Sequence, residues 1–174
     1  MTITERSTSG MDRSPIISVI GTSTASPGLY ELAREVGRLL ARAGCTVVCG
    51  GRGGVMEAVC RGVSEEGGTS VGLLPGDIRE ANPYVTIPLS TGLGEVRNFA
   101  VASAGEAVIS IGGAFGTLSE IGFALRSGKP VIALKSWHIS EGGESPSQMT
   151  EAATAEEAVR LALEKTGRES HDRG

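Results

Sequence analysis

A chain of 174 residues is long enough for one domain with a substantial core and too short for two full ones. Its formal net charge of −4 argues against a broad basic face of the kind that grips nucleic acid polymers, while leaving discrete anion sites open. With 26 glycines against one Trp, two Tyr and three Phe, it favours tight turns and small side chains over an aromatic core.

Residues 1–14 are polar and have little to bury, so a frayed tail is expected there; they are also unlike a secretory signal. No apolar run reaches the roughly 18 residues of a membrane span, and the chain reads as cytoplasmic. One domain is expected over 15–166, followed by a polar tail at 167–174. The apolar segment 15–20 predicts a first strand, and 21–28 is a turn of small hydroxyl-bearing residues. Leu32, Val36, Leu39 and Ala43 then recur at helical spacing, and Gly44 ends that helix.

The pattern repeats. Residues 45–49 predict a strand, 50–54 a glycine turn, and Met56, Val59 and Val63 a helix to about residue 66. A third strand is predicted at 69–74 and a loop long enough to cover a site at 75–83, in which Asp77, Arg79 and Glu80 read as solvated. A short strand at 85–89 precedes a helix whose Val96, Phe99 and Ala100 share one face, with Arg97 and Asn98 off it.

The stretch 107–120, AVISIGGAFGTLSE, organises the chain. Its nearly continuous apolar start suits a strand covered on both faces. Gly112, Gly113 and Gly116 keep side chains out of the turn, and Leu118, Ile121 and Leu125 give the next helix a core-facing stripe. A strand at 130–134, a polar loop at 137–147 and an edge strand at 148–152 follow. Thr154 and Glu157 have the spacing of a capping box for a last helix carrying Val159, Leu161 and Leu163.

Cys45, Cys49 and Cys60 are an odd set without a CxxC pair, and His138 and His171 are isolated, so buried free thiols are expected and no metal ligands. Strands alternating with helices imply a parallel sheet between two helix layers, with ligands at the strand carboxyl ends near the reversal of strand order. The turns at 21–28, 50–54 and 112–116 all lie at such ends. Helix N-termini there present unpaired amides and a partial positive charge, which suits phosphate. The amides of Gly113, Gly116 and Thr117 would form the cradle. Arg52 would point at ligand or solvent, and Thr22 and Ser23 would bond phosphate or local backbone. Glu120 has two readings: a site carboxylate, or the return arm of a capping box begun by Thr117. No turn spells a full GxGxxG with an acidic partner at the dehydrogenase distance.

The segment GGAFGTLSE resembles the PGGxGTxxE signature of the Lonely-guy-like proteins, long labelled lysine decarboxylases, with Gly113, Gly116, Thr117 and Glu120 matching. The turn from Gly50 to Met56 is similar to that family's GGGxxGLM, one residue shorter, and Gly21-Thr22-Ser23 resembles its GSS. The resemblance covers about residues 16–134. It implies a Rossmann-like, doubly wound α/β/α fold assembled as a homodimer or homotetramer. Phosphoribohydrolase members cleave nucleoside 5′-monophosphates, and their catalytic arginine and glutamate would fall on Arg97 and Glu120.

Gly112 in place of Pro, Ala114 of Gly, Ser119 of Glu and Asn98 of Lys make the chain look more like the branch of molybdenum cofactor carriers. The resemblance therefore implies carrier-like binding of a phosphorylated nucleotide-like or pterin ligand, with phosphoribohydrolysis as the alternative. Its ligand-binding set would be Gly21, Thr22, Ser23, Gly50, Gly51, Arg52, Gly53, Asn98, Gly112, Gly113, Gly116 and Thr117. No cofactor is required for catalysis; the molybdenum cofactor or a nucleotide would be the bound ligand, and no nucleic acid polymer or membrane is an expected partner. Lysine decarboxylation is disfavoured, because neither Lys129 nor Lys135 lies in a site for pyridoxal phosphate.

Overall fold

The computed structural model describes residues 13–167; the expected tails, with His171, lie almost wholly outside them. Strand and helix alternate as β1 (Ile16–Gly21), α1 (Pro27–Arg42), β2 (Thr46–Cys49), α2 (Val55–Glu65), β3 (Thr69–Leu74), β4 (Ile87–Ser90), α3 (Arg97–Ala104), β5 (Ala107–Ile111), α4 (Phe115–Arg126), β6 (Val131–Leu134), β7 (Met149–Ala152) and α5 (Ala155–Lys165). All strand pairs are parallel, in the order β4-β3-β2-β1-β5-β6-β7. The order reverses between β1 and β5, the position at which such sheets open a crevice.

β5 and β6 are buried along their whole length, as their continuous apolar runs require. Helices α1, α2 and α5 bury Val36, Leu40, Val59 and Val159 in the larger core, while α3 and α4 bury Val101, Ile121 and Ala124 in a second one. The result is the three-layer α/β/α arrangement. Ser18 ties β1 to α3: its Oγ donates to the Val101 carbonyl at 2.6 Å and accepts from the Gly105 amide at 2.9 Å. No described helix is long and apolar enough to cross a membrane.

Local signals mark the ends of α1 and the start of α5. Ser26 accepts from the Leu29 amide at the start of α1, and Gly44, at φ +74°, follows its end. Thr154 Oγ1 accepts from the Glu157 amide at 3.2 Å, while the Glu157 carboxylate accepts from Ala153 N–H at 2.8 Å. The three cysteines are buried free thiols, with the sulfurs of Cys49 and Cys60 3.5 Å apart.

Three expectations are corrected. Helix α1 buries Ala33, Val36, Gly37 and Leu40, whereas Ala43 is exposed. The rotation follows from close helix contact: a Cβ on Gly37 would overlap the Val59 carbonyl, and one on Gly62 the Arg34 carbonyl. In α3 the inward residues are Arg97, Val101 and Ala102, while Val96 and Phe99 are exposed, the reverse of the predicted face. Helix α4 starts at Phe115, so Thr117 and Glu120 lie inside it and form no capping box.

Candidate functional site

The first two turns are built against one another. The Val55 amide donates to the Thr22 carbonyl at 3.0 Å, and a Cβ on Gly54 would overlap the Thr22–Ser23 backbone. Thr22 Oγ1 bonds Thr24, donating to its carbonyl at 3.1 Å and accepting from its amide at 3.2 Å, so this hydroxyl shapes the local turn. Asn82 holds the second turn from the loop side. Its Nδ2 donates to the carbonyls of Gly51 (3.1 Å) and Arg52 (2.9 Å), and its Oδ1 accepts from the Tyr84 amide at 3.1 Å. Its only sequence signal was the turn-forming Asn-Pro step at residues 82–83.

The third turn leaves β5 through Gly112 and reaches α4 at an N-cap, Ala114, that has no side-chain acceptor. The first amides of α4 therefore keep their donors free of a side-chain cap. Trp137 Nε1 donates to the Ala114 carbonyl at 3.2 Å and steadies the turn from outside.

Between these turns and α3 lies a cavity of about 270 Å³, lined by Gly21, Thr22, Ser23, Arg52, Met56, Glu95, Arg97, Asn98, Ala114, Gly116, Thr117 and Glu120. Nine of those residues belong to the set inferred from the sequence. Gly50, Gly51, Gly53, Gly112 and Gly113 belong to that set but lie outside the lining. Several of them serve packing: a Cβ would overlap Arg97 and Met56 from Gly50, Leu29 from Gly112 and Trp137 from Gly113. Gly116 differs, because a Cβ there meets only open space. Met56, Glu95 and Ala114 were not anticipated; Met56 fitted a core stripe, and a glutamate in a polar turn carries no distinctive signal.

The cavity floor is buried. Arg97 is 4% exposed, Glu120 7% and Thr117 2%. Arg97 Nε and Thr117 Oγ1 are buried without a hydrogen-bond partner among the described residues. Burial lowers the Arg97 pKa against the opposing pull of Glu120. Burial also raises the Glu120 carboxyl to about 7, opposed by the charge of Arg97 and reinforced by that of Glu95. Arg52 is held at the edge by an ion pair with Glu80 and a 3.5 Å contact from its Nη1 to Glu95.

Two guanidiniums, an uncapped helix N-terminus, an orphaned hydroxyl and a carboxyl poised near neutrality thus share one crevice. Such a set suits an anionic ligand carrying further polar groups. Fold and crevice together define a Rossmann-like ligand-binding domain.

The chain belongs to the SLOG cluster4 family, which matches residues 14–165. An uncharacterized protein of Archaeoglobus fulgidus is 38% identical over 147 residues, covering 84% of this chain and 93% of that protein. The molybdenum cofactor binding protein of the phototrophic bacterium Rippkaea orientalis superposes with a TM-score of 0.79 at 33% identity, over 87% of this chain and 96% of that one. The molybdenum cofactor carrier protein of Chlamydomonas reinhardtii gives a TM-score of 0.82 at 31% identity, over 90% and 100% of the two chains. These likenesses support the Lonely-guy-type, carrier-like branch that the turn motifs resemble.

Proposed function

We propose that this chain binds a phosphorylated pterin or nucleotide-like ligand at the carboxyl ends of its strands, in the manner of a molybdenum cofactor carrier. The observation that carries this reading is the pair of unpartnered buried donors in the cavity lining, Arg97 Nε at the start of α3 and Thr117 Oγ1 in the first turn of α4. An unmade buried hydrogen bond costs about 1–3 kcal/mol, and a phosphate entering the cavity would supply the missing acceptors. The likeness to two molybdenum cofactor proteins over nearly their whole lengths supports a carrier over a hydrolase. The working form is a cytoplasmic homodimer or homotetramer.

The test is calorimetric titration with ribose 5-phosphate and with a pterin phosphomonoester, using wild type and Thr117→Val. Valine keeps the shape and removes the hydroxyl, so affinity for both ligands should fall about tenfold, the worth of one hydrogen bond to a charged group. Equal affinity in the two proteins would remove the phosphate from α4. Incubation with AMP separates the alternative: free adenine released by wild type and not by Glu120→Gln would make the chain a phosphoribohydrolase.

A further inference from the structure

Glu95 has no part in receiving a phosphate. It is an acidic side chain in the lining of the proposed anion pocket, where it would oppose a phosphate, and it helps to push the neighbouring Glu120 carboxyl up. The fold makes little use of it. Its side chain is 71% exposed, in a short turn (Gly94–Val96) with no buried residue. Its contact with Arg52 is a long 3.5 Å through Oε1, whereas Glu80 engages Arg52 through both Nε and Nη2. Glu95 therefore retains acceptor capacity beside the ligand.

Asn98 lines the same cavity three residues further on, and its carboxamide both donates and accepts. A carboxylate followed by an amide donor complements one particular edge of a planar heterocycle. The 2-amino-4-oxo pyrimidine edge, common to guanine and pterins, presents two adjacent N–H donors and then a carbonyl oxygen. Adenine presents one amino donor beside a bare ring nitrogen, whose lone pair a carboxylate repels. Hypoxanthine keeps guanine's ring N–H and carbonyl but lacks the amino group.

We propose that Glu95, with Asn98 in the same cavity lining, reads the 2-amino-4-oxo edge of the ligand's ring, so that the cavity selects guanine- or pterin-type phosphates over adenine-type ones. This rests on the phosphate-binding reading above and names its ligand class. Discrimination by a site built to meet polar hydrogens is steep, because the analogue that lacks them leaves the carboxylate unmatched.

The experiment is titration calorimetry of wild type and Glu95→Gln with GMP, IMP, AMP, ribose 5-phosphate and a pterin phosphomonoester. Wild type should bind GMP at least about tenfold more tightly than IMP or AMP, the worth of a charge-assisted hydrogen bond. Glu95→Gln should bring the GMP-to-IMP ratio close to one while holding or raising the affinity for ribose 5-phosphate, which has no ring. The tighter of GMP and the pterin phosphomonoester in wild type names the ring the cavity prefers. Equal binding of GMP and IMP by wild type, or a ratio that survives in Glu95→Gln, would overturn the assignment and leave Glu95 as a counter-charge to Arg52. Failure of ribose 5-phosphate to bind either protein would instead sink the phosphate reading itself, and this inference with it.

Discussion

Glu120 is where site and stability pull in opposite directions. An unfolded carboxyl titrates near 4.5, whereas burial raises the folded one to about 7. Between those values the folded state binds more protons than the unfolded state, so stability is full below 4.5, falls as pH rises, and levels off above 7. The difference amounts to about 3 kcal/mol. A glutamine at this position does not titrate, so the Tm advantage of Glu120→Gln over wild type should widen from pH 4.5 to pH 8 by roughly 6–12 °C, on the scale for a domain of this size. Thermal denaturation across that range checks it; parallel curves for the two proteins would mean that Glu120 titrates as an ordinary carboxyl. The importance of this residue was visible in the sequence only as an ambiguity, since Thr-x-x-Glu serves equally as a helix cap. Arg97 was less visible still, because nothing in a single chain distinguishes an arginine laid over Gly50 from one in solvent.

At the level of elements, the alternation of apolar runs with glycine turns was legible. A strand covered on both faces and a turn that excludes side chains each leave a compositional mark. Helix starts were less so. A capping box closed by Glu120 needs Thr117 as the N-cap, yet the N-cap of α4 lies a turn earlier, at an alanine with no acceptor, Ala114. That arrangement forgoes a side-chain cap and leaves the first amides of α4 without a side-chain acceptor, as the proposed phosphate site requires.

Ala114→Asp puts an acceptor at the N-cap and should add about 1 kcal/mol, or about 2–4 °C in Tm. It also occupies the amides of Gly116 or Thr117 and places a negative charge at the proposed anion site, so affinity for ribose 5-phosphate should fall at least about tenfold. Calorimetry and a melting curve on the same sample check both halves. A higher Tm with unchanged affinity would mean that the anion sits elsewhere in the cavity.

At the scale of the molecule, β1 and β5 flank the switch point, and the clamp of Asn82 on Gly51 and Arg52 ties a distant loop to the same crevice. Alternation of elements implied the crevice but not the strand order, which depends on which strands pair across long crossovers. The misassigned face of α3 carries information at this scale too. Helical spacing grouped Val96 with Phe99 as residues to be buried, yet within one chain Val96 is 74% exposed and Phe99 is exposed beside it. Phe99 packs edge-on against Phe123 of α4, with centroids 5.5 Å apart, and Phe115 at the start of α4 is exposed as well. Periodicity reports which residues avoid water, not whose core covers them, and large exposed apolar groups on adjacent helices are the mark of an interface. Arg97 and Val101 turn to the protein's own sheet while Val96 and Phe99 turn outward, as the proposed homo-oligomer would require. Light scattering at micromolar concentration should give a mass two or four times the 17.8 kDa of one chain. Phe99→Glu should reduce that mass to a single chain without changing the far-ultraviolet circular dichroism, since the side chain is exposed within one chain. A wild-type protein that scatters as one chain would leave this face without a partner copy and remove the assembly from the functional reading.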